Sequence, residues 1–460
     1  MNKQQGKLKK NMSPLNVWGL ALGAIIGWGC FVLPGNAFLP KAGPLGTTLG
    51  MLIGGLLILI IALSYGYLII KYPQSGGEFI YTKNTMGKTN AFICGWSMIL
   101  AYWSLIPLNA TALALISRNL FPGIIQKGLL YEVAGWDVYL GEVIVASAFI
   151  IIMGLLNIRG IKQAAWTQTA IALTLVGGIL LLFSLTCFKG VEWSNLAPGF
   201  PDENNWWKSV FSIVAMAPWA YIGFDCIPQS AEEYNFDHKR STRIMIQAIT
   251  IAALLYIAIN TITAVGYKPW QELLAEKHTW PTGFVVENML GHVGLIILGI
   301  AMFCAVISGM NAFYISTSRL MYAMAQDGAL PKVFEKVSHK HGTPTNAIIF
   351  IMILSLFAPW FGREVLLWIV DMTSVGAAIV FAYTSASAAI LARNHGHTRQ
   401  LITSILGCII SLFFLSLLII PGMPGYLGIQ SRYCLLIWAI LGLIFYIMRR
   451  KDYIKNNNND

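Results

Sequence analysis

The sequence predicts an all-α polytopic membrane protein with about twelve transmembrane helices. Two observations carry this prediction. First, 56% of the 460 residues are hydrophobic and only 11% are charged, and the mean hydropathy of +0.65 is too high for a soluble chain of this length. Second, the apolar residues form long continuous runs, whereas the strands of a membrane β-barrel alternate between apolar and polar residues.

The predicted spans each approach the roughly 20 residues that a helix needs to cross a bilayer. They cover residues 15–39, 44–70, 90–121, 138–157, 164–188, 207–233, 243–267, 283–325, 345–361, 364–392, 400–420 and 431–449. The chain before the first span is basic and polar, and the span itself lacks a small-residue cleavage site. We therefore expect an uncleaved first span and not a signal peptide.

The charge distribution predicts the orientation of the chain. The formal net charge of +11 is by itself also typical of proteins that bind nucleic acids or anionic ligands. With the N-terminus in the cytoplasm, however, 22 of the 31 basic residues fall in inner segments, which leaves 9 for the outside. This bias predicts a plasma-membrane protein with both termini in the cytoplasm, surrounded by the lipid bilayer and without a nucleic-acid partner.

The first span contains an interruption that points to function. Gly27, Gly29, Pro34 and Gly35 break an otherwise apolar helix. A broken helix at membrane depth frees backbone N–H and C=O groups, which are costly in lipid unless protein, water or a ligand satisfies them. The segment is therefore either a tolerated kink or a ligand site.

A similar interruption opens the second half of the chain. The segment 222–226 repeats the pattern of 26–30 at an offset of 196 residues (222 − 26), with Ile, Gly and Cys shared and an aromatic residue in the middle of both. Pro218 and Pro228 flank the second copy. Two interrupted spans at matching places in two halves point to a transporter binding site built on inverted repeats. The alternative is chance similarity between glycine-rich membrane helices.

Three carboxylates lie next to predicted inner loops. Glu78 follows the paired glycines Gly76 and Gly77 after the second span, and it either binds a basic gate residue or is solvated. Glu232 and Glu233 follow the sixth span. They form gate salt bridges or remain solvated charges.

Together, the motifs resemble those of the amino acid–polyamine–organocation (APC) superfamily, of which the chain is identified as a member over roughly residues 14–450. The matching motifs are Gly27-x-Gly29, Pro73-x-x-Gly76-Gly77-x-Phe79-x-Tyr81, Gly223-Phe224-Asp225 followed by Ala231-Glu232-Glu233, and Arg319-x-x-x-Ala323-x-Ala325-x-Asp327-Gly328-x-x-Pro331. Within the superfamily, segments 31–36 and 219–225 are similar to the arginine/agmatine exchanger branch.

The resemblance implies a LeuT-like fold of two inverted five-helix repeats plus two C-terminal helices. Spans one and six are then unwound at the membrane midplane, and access alternates as one bundle rocks against a scaffold. The implied units are a cytoplasmic tail at 1–13, a first repeat at 14–190, a second repeat at 206–393, two helices at 399–450 and a cytoplasmic tail at 451–460.

Such a site suits an α-amino acid. Amide groups near Trp28, Gly29 and Cys30 can hold a carboxylate, while free carbonyls in both broken segments can hold an ammonium group. Trp219 matches an occluding aromatic residue of related carriers, although packing or an interfacial position would also explain it. The predicted substrate-binding residues are Ile25, Ile26, Gly27, Trp28, Gly29, Cys30, Tyr102, Trp103, Ile106, Trp219, Ile222 and Phe313. For the residues of spans three and eight, plain packing is the alternative.

Asp225 is the ionisable residue selected for proton coupling or sensing. A carboxylate in mid-span is expensive and usually functional, and Asp225 matches an acidic residue implicated in the pH response of the arginine/agmatine exchanger. The alternative is that Asp225 caps the second half of span six. Asp371 in span ten is a second candidate.

The chain departs from the resemblance at three places. Ile106 stands where the arginine exchanger has an asparagine, which argues against an arginine substrate. Span five lacks, over 170–175, the lysine that replaces a bound sodium ion in many proton-dependent relatives; hydroxyl groups for sodium are present at Ser308, Ser316 and Thr317. Trp28 stands where many relatives have serine, and its larger side chain narrows the pocket or changes what the pocket accepts. An amine without a carboxylate, such as ethanolamine or a polyamine, is therefore an alternative substrate.

The predicted function is a secondary active transporter for amino acids or related amines, proton-linked or working by exchange. The alternative is a membrane sensor that binds a ligand on the same scaffold. No metal site, cofactor or enzymatic constellation is predicted. The Asn109-Ala110-Thr111 glycosylation motif lies inside a span and is set aside.

Overall fold

The computed structural model describes residues 12–455 apart from 134, 161–163, 267, 339–340 and 363. Within these residues the chain is predominantly helical, which confirms the predicted all-α membrane class. The α-helices are α1 (Pro14–Ile25), α2 (Gly29–Leu33), α3 (Leu39–Lys71), α4 (Gly77–Met86), α5 (Lys88–Leu120), α6 (Leu140–Arg159), α7 (Ala164–Phe188), α8 (Trp206–Val214), α9 (Ala217–Ala220), α10 (Cys226–Gln229), α11 (Lys239–Val265), α12 (Trp270–Ala275), α13 (Pro281–Gln326), α14 (Thr345–Ser355), α15 (Glu364–Asn394), α16 (Thr398–Ile419) and α17 (Ile429–Lys455).

The remaining regular structure is short. A π-helix covers Pro34–Phe38, and 3₁₀ helices cover Trp193–Leu196, Glu203–Asn205, Ala231–Glu233, Lys332–Glu335 and Ala358–Phe361. Strands β1 (Leu129–Val133) and β2 (Trp136–Tyr139) form an antiparallel hairpin between α5 and α6. The sequence analysis missed this hairpin and placed the start of the fourth span at residue 138.

Nine helical segments of the described chain are long and apolar enough to cross a membrane. The first of them runs over Pro14–Lys71 and contains the first two predicted spans. The boundary between the two spans falls at Gly43, whose φ of +67° departs from helical geometry. The ninth predicted span is the shorter apolar segment Thr345–Phe361, and the sixth is divided into α8, α9 and α10.

Local sequence explains where the first span begins and breaks. Ser13 and Asn16 form a reciprocal capping box, in which each side chain accepts a hydrogen bond from the backbone of the other, so α1 begins at Pro14. The helix ends at Ile25, and the next residue, Ile26, has a ψ of +83° that directs the chain out of the helix. The chain resumes as α2 at Gly29, and the glycines and proline of this segment thus mark a real interruption.

A series of polar contacts places both described chain ends on one side of the bundle. Met12 N–H donates to the Glu233 carbonyl at 3.0 Å, and the Lys88 ammonium donates to the Tyr453 carbonyl at 2.7 Å. Lys83 on α4 pairs with Asp327 at the end of α13. We call this side the N-side and the opposite side the far side.

The broken segments lie at the centre of the helix packing. The helix α1 contacts α7, α11 and α13, and α10 contacts α1, α4 and α13. Around them, α13 packs against α5 and α7, and α11 packs against α3. The helices α16 and α17 lie outside this core, and much of their apolar surface is exposed, as expected for surfaces that face lipid.

Candidate functional site

The two predicted breaks meet in the structure. A Cβ atom on Gly223 would lie 2.6 Å from the Ile25 nitrogen and 2.7 Å from the Ala24 Cβ. Gly223 also has a φ of +128°, which L-residues with a side chain rarely adopt. Only glycine permits this approach, so the broken part of the sixth span lies directly against the end of α1.

Two tryptophans cover the break. A Cβ atom on Gly29 would lie 2.2 Å from Cη2 of Trp219. Trp28 packs edge-to-face on the same ring, with centroids 6.2 Å apart and an interplanar angle of 64°. Both indole N–H groups are buried without a hydrogen-bond partner. The break is thus sealed by aromatic surface that offers two free donors.

Two polar residues that the sequence analysis missed also reach the first break. The side-chain oxygen of Asn109 on α5 accepts a hydrogen bond from the backbone N–H of Trp28 at 3.4 Å. Asn109 also lies against Gly27 and Gly309. The Tyr256 hydroxyl on α11 donates to the Ile25 carbonyl at 3.5 Å. Asn109 lies seven residues after Tyr102, two helical turns along the same face. That spacing was the signal that could have identified it.

The candidates on spans three and eight occupy different positions. Tyr102 packs against Phe313 with ring centroids 5.8 Å apart. Ile106 is fully buried on the same side of α5. Trp103 instead donates to Ser355 Oγ at 3.2 Å and stacks on Trp438, so it faces α14 and α17 and not the other candidates.

Asp225 is fully buried between the two halves of the broken sixth span. Its Oδ1 accepts a hydrogen bond from Gly223 N–H at 2.7 Å, and its Oδ2 has no hydrogen-bond partner. Asp225 occupies the N-cap position of α10 but makes no side-chain capping bond to that helix. Asp371 is on α15, away from the broken sixth span, and accepts a hydrogen bond from Ser431 on α17.

The N-side of the break is closed by charged groups. Arg319 on α13 pairs with Glu233 at 2.5 Å, and Glu232 accepts a hydrogen bond from Ser75 N–H at 3.0 Å. Glu233 therefore forms a salt bridge, whereas Glu232 is exposed to solvent and accepts its hydrogen bond from a backbone N–H. Glu78 pairs with no basic side chain among the described residues and is not solvated, because it is fully buried and accepts a hydrogen bond from Gln229.

Two small cavities flank this closed centre. The far-side cavity has a volume of about 50 Å³ and is lined by Trp28, Trp136 and Glu142, among others. The N-side cavity has a volume of about 60 Å³ and is lined by residues that include Ser75 and Arg319. The broken segments and their aromatic cover separate the two.

A polar junction connects α1, α6, α7 and α13. Gln168 on α7 donates from Nε2 to the Ser308 hydroxyl at 2.5 Å and to the Ser308 carbonyl at 3.4 Å. Its Oε1 accepts from Asn311 at 3.1 Å, and Asn311 in turn accepts from Asn157 at 3.2 Å. Gly23 gives this junction room, because a Cβ there would lie 1.8 Å from Ser308 Oγ.

A family model described as "Amino acid permease" matches residues 12–446 of the chain. The chain belongs to this family. The permease is accordingly a multi-pass membrane transporter of the APC superfamily and not an enzyme, as the sequence analysis predicted. The similarity to the arginine/agmatine exchanger branch stays a prediction.

Relatives of the permease cover most of its length. It is 26% identical to the branched-chain amino acid permease BcaP of Bacillus subtilis (strain 168), over 98% of this chain and 95% of the relative. It is 25% identical to the methylthioribose transporter of the same organism, with the same coverage. It is 28% identical to the large neutral amino acids transporter small subunit 2 of Homo sapiens, over 76% of this chain and 64% of the relative.

Proposed function

We propose that the permease is a secondary carrier for a neutral amino acid, held between the broken first and sixth spans and moved across the plasma membrane by alternating access. The observation that carries this proposal is the meeting of the two breaks at Gly223 and Ile25. Backbone groups freed by the breaks can hold both charged ends of an α-amino acid. The orientation follows the basic-residue bias, with the N-side in the cytoplasm.

The residues around the break favour a neutral side chain. Tyr102, Phe313 and Ile106 are apolar or aromatic and buried near the broken segments, and none of them offers a charge to a basic substrate. Two of the relatives described above are named for branched-chain and large neutral amino acids. Trp28 keeps an amine without a carboxylate as an alternative, because its indole narrows the place where the carboxylate would bind.

The closed centre supports a rocking mechanism. The Trp28–Trp219 pair lies between the far-side cavity and the break, while Arg319 and Glu233 close the N-side. Opening on either side requires one of these contacts to separate. We propose that residues 14–190 and 206–393 are the two inverted repeats that provide this motion.

We expect uptake to be independent of sodium. The Ser308 hydroxyl and carbonyl, which are the kind of oxygens that would bind Na⁺, already accept hydrogen bonds from Gln168. The prediction rests on Ser308 alone, because the Thr317 hydroxyl donates to the Phe313 carbonyl and keeps its own lone pairs. Replacing sodium by choline in the external buffer should leave initial uptake rates unchanged. A saturable stimulation by sodium would contradict this prediction.

We expect Asp225→Asn to flatten the pH dependence of uptake. A buried carboxylate with one unpartnered oxygen can bind and release a proton, and its surroundings set the pH at which it does so. The amide of asparagine does not titrate. The measurement is initial uptake between about pH 5 and pH 8. Asp371→Asn is the matched control, and its pH profile should follow that of the wild type. An unchanged profile in Asp225→Asn with normal activity would remove Asp225 from coupling.

The test of the function is uptake into proteoliposomes. The panel contains labelled branched-chain, large neutral and basic amino acids, ethanolamine, a polyamine and methylthioribose, each with and without a pH gradient. Saturable uptake of a neutral amino acid supports the proposal, and uptake only into preloaded vesicles would identify an exchanger. Ligand-induced thermal stabilisation without flux of any compound would favour the sensor.

A further inference from the structure

The segment before the first span is attached to the loop that follows the sixth span. Met12 N–H donates a hydrogen bond to the Glu233 carbonyl at 3.0 Å, and Asn235 N–H donates to the Met12 carbonyl at 3.1 Å. The two segments thus form a parallel β-bridge between Met12 and Tyr234. We call Met12 together with residues 233–235 the inner strap. It lies on the N-side of the bundle.

The inner strap joins the N-side ends of the two broken spans. Ser13, the residue that follows Met12, caps α1, so a single residue separates the strap from the first helix. On the other side, α10 (Cys226–Gln229) and the 3₁₀ helix Ala231–Glu233 lead directly into the strap. A displacement of the N-side end of α1 is therefore transmitted to the end of the sixth span through two backbone hydrogen bonds.

A buried side chain fixes the strap to the sixth span. Tyr234 is only 2% exposed, and its hydroxyl donates a hydrogen bond to the Ile227 carbonyl on α10. Its ring stacks on Phe236, with ring centroids 4.8 Å apart. The strap is therefore part of the folded core and not a contact between two exposed backbone segments.

The strap also places Glu233 against α13. The Glu233 backbone carbonyl accepts from Met12, while its carboxylate pairs with Arg319 on α13 at 2.5 Å. An ion pair near the surface usually contributes little, because two long side chains must be held in one geometry. Here the strap holds the backbone of one partner, and the two side chains are only 16% and 17% exposed. We therefore expect the Glu233–Arg319 pair to depend on the strap.

A second contact joins the strapped ends to the rest of the bundle. Asn16 on α1 donates from Nδ2 to Thr169 Oγ1 on α7 at 3.0 Å. One turn later, a Cβ atom on Gly19 would lie 3.1 Å from the Thr169 Cα, so α1 and α7 are closely packed there. The helices α7 and α13 pack against each other. The strapped ends thus meet this helix pair through Asn16 on one side and Glu233 on the other.

We propose that the inner strap positions Glu233 for its pair with Arg319 and makes the N-side ends of the first and sixth spans move as one unit when the N-side opens. On opening, the Glu233–Arg319 and Asn16–Thr169 contacts separate, whereas both backbone hydrogen bonds of the strap remain. Met12 is accordingly a positioning residue. Its role in transport rests on the proposed carrier function, but the closure of the N-side can be measured without transport.

The test measures N-side opening by the reaction of Cys226 with a charged, membrane-impermeant maleimide. Cys226 is the first residue of α10 and is fully buried, so its thiol reacts only when the sixth span opens to water. The reagent is added to inside-out membrane vesicles, whose outer face is the N-side in the proposed orientation. The reaction rate of Cys226 is the difference between each protein and the same protein carrying Cys226→Ser.

Two proline variants remove one strap hydrogen bond each. Met12→Pro removes the donor to Glu233, and Asn235→Pro removes the donor to Met12. Tyr234 has a ψ of +135°, which suits a residue before proline, so the second variant repeats the test if the first does not fold. We expect each to raise the Cys226 reaction rate at least about threefold, as the loss of one hydrogen bond predicts. Met12→Leu keeps the N–H and should react at the wild-type rate.

A double variant shows whether the strap acts through Glu233. Arg319→Gln removes the ion pair and should by itself raise the Cys226 reaction rate. Adding Met12→Pro to it should change the rate by less than about 1.5-fold, because two residues that act through one contact are not additive. Lys239→Gln removes the same charge from an exposed N-side position at the start of α11. It should keep the wild-type rate.

The outcomes separate this inference from the proposed function. Wild-type Cys226 reaction rates in folded proline variants, as judged by thermal unfolding, would overturn the role of the strap. Independent, multiplying effects of Met12→Pro and Arg319→Gln would also overturn it, because the strap would then not act through Glu233. Absence of any amino acid uptake by the wild type would overturn the carrier proposal and leave the comparison of Cys226 reaction rates intact.

Discussion

Replacing Gly223 with alanine is expected to lower the transport rate at least about a hundredfold. The φ of +128° is strained for alanine by about 1–3 kcal/mol, and the added Cβ would overlap Ile25 N and Ala24 Cβ, which adds about 1–3 kcal/mol of overpacking. A hundredfold effect needs only about 2.8 kcal/mol. The backbone of the break must move to accept the methyl group, and the substrate site moves with it.

Initial uptake and substrate-induced thermal stabilisation would measure this loss. The matched control is Gly177→Ala on α7, where an added Cβ meets no atom within 4 Å. That variant should transport normally and unfold at the same or a slightly higher temperature, because alanine is favoured over glycine in a helix. Normal transport by Gly223→Ala would show that the approach of the two breaks is not needed for function.

Trp219→Ala is expected to weaken substrate binding at least about tenfold and to abolish accumulation of substrate. The indole covers Gly29 and packs on Trp28, and an aromatic contact of about 1.4 kcal/mol corresponds to tenfold in affinity. Removing the indole also opens the break toward the far side, so a substrate that reaches the site is not enclosed before the N-side opens. Binding and concentrative uptake in proteoliposomes measure the two effects separately.

A control must separate the loss of the Trp219 indole over the break from a general loss of fold stability. Removing a buried tryptophan typically destabilises a protein by about 3–5 kcal/mol wherever it lies. Trp270→Ala on α12 removes an equally buried indole that donates to the Pro198 carbonyl. We expect it to lower the unfolding temperature without changing substrate affinity. Equal loss of affinity in both variants would mean that Trp219 acts only through stability.

The position of a site residue around its helix was harder to predict than its position along the chain. Tyr102 and Trp103 are consecutive on α5 and therefore point about 100° apart. Tyr102 packs on Phe313, whereas Trp103 faces Ser355 and Trp438. The same face of α5 carries Asn109, which was set aside as a glycosylation motif inside a span.

The sequence also did not predict which polar side chains form hydrogen bonds between helices. The search for a span-five lysine covered 170–175, but the side chain that reaches α13 is Gln168, two residues earlier. Glu78 was expected to bind a base or to be solvated, and it accepts from Gln229 instead. In both cases the partner lies more than 130 residues away along the chain, and local pattern carries no information about that distance.

The sequence by itself determined the membrane class, the number of spans and the places where two of them break, because hydrophobic length, glycine and proline act locally. The comparison of motifs also determined the family. Only the tertiary structure decided that the two breaks touch at Gly223, that Trp28 and Trp219 enclose them, and that Glu78 is buried against Gln229. Those features depend on which helix faces pack together, and packing is set by contacts between distant segments.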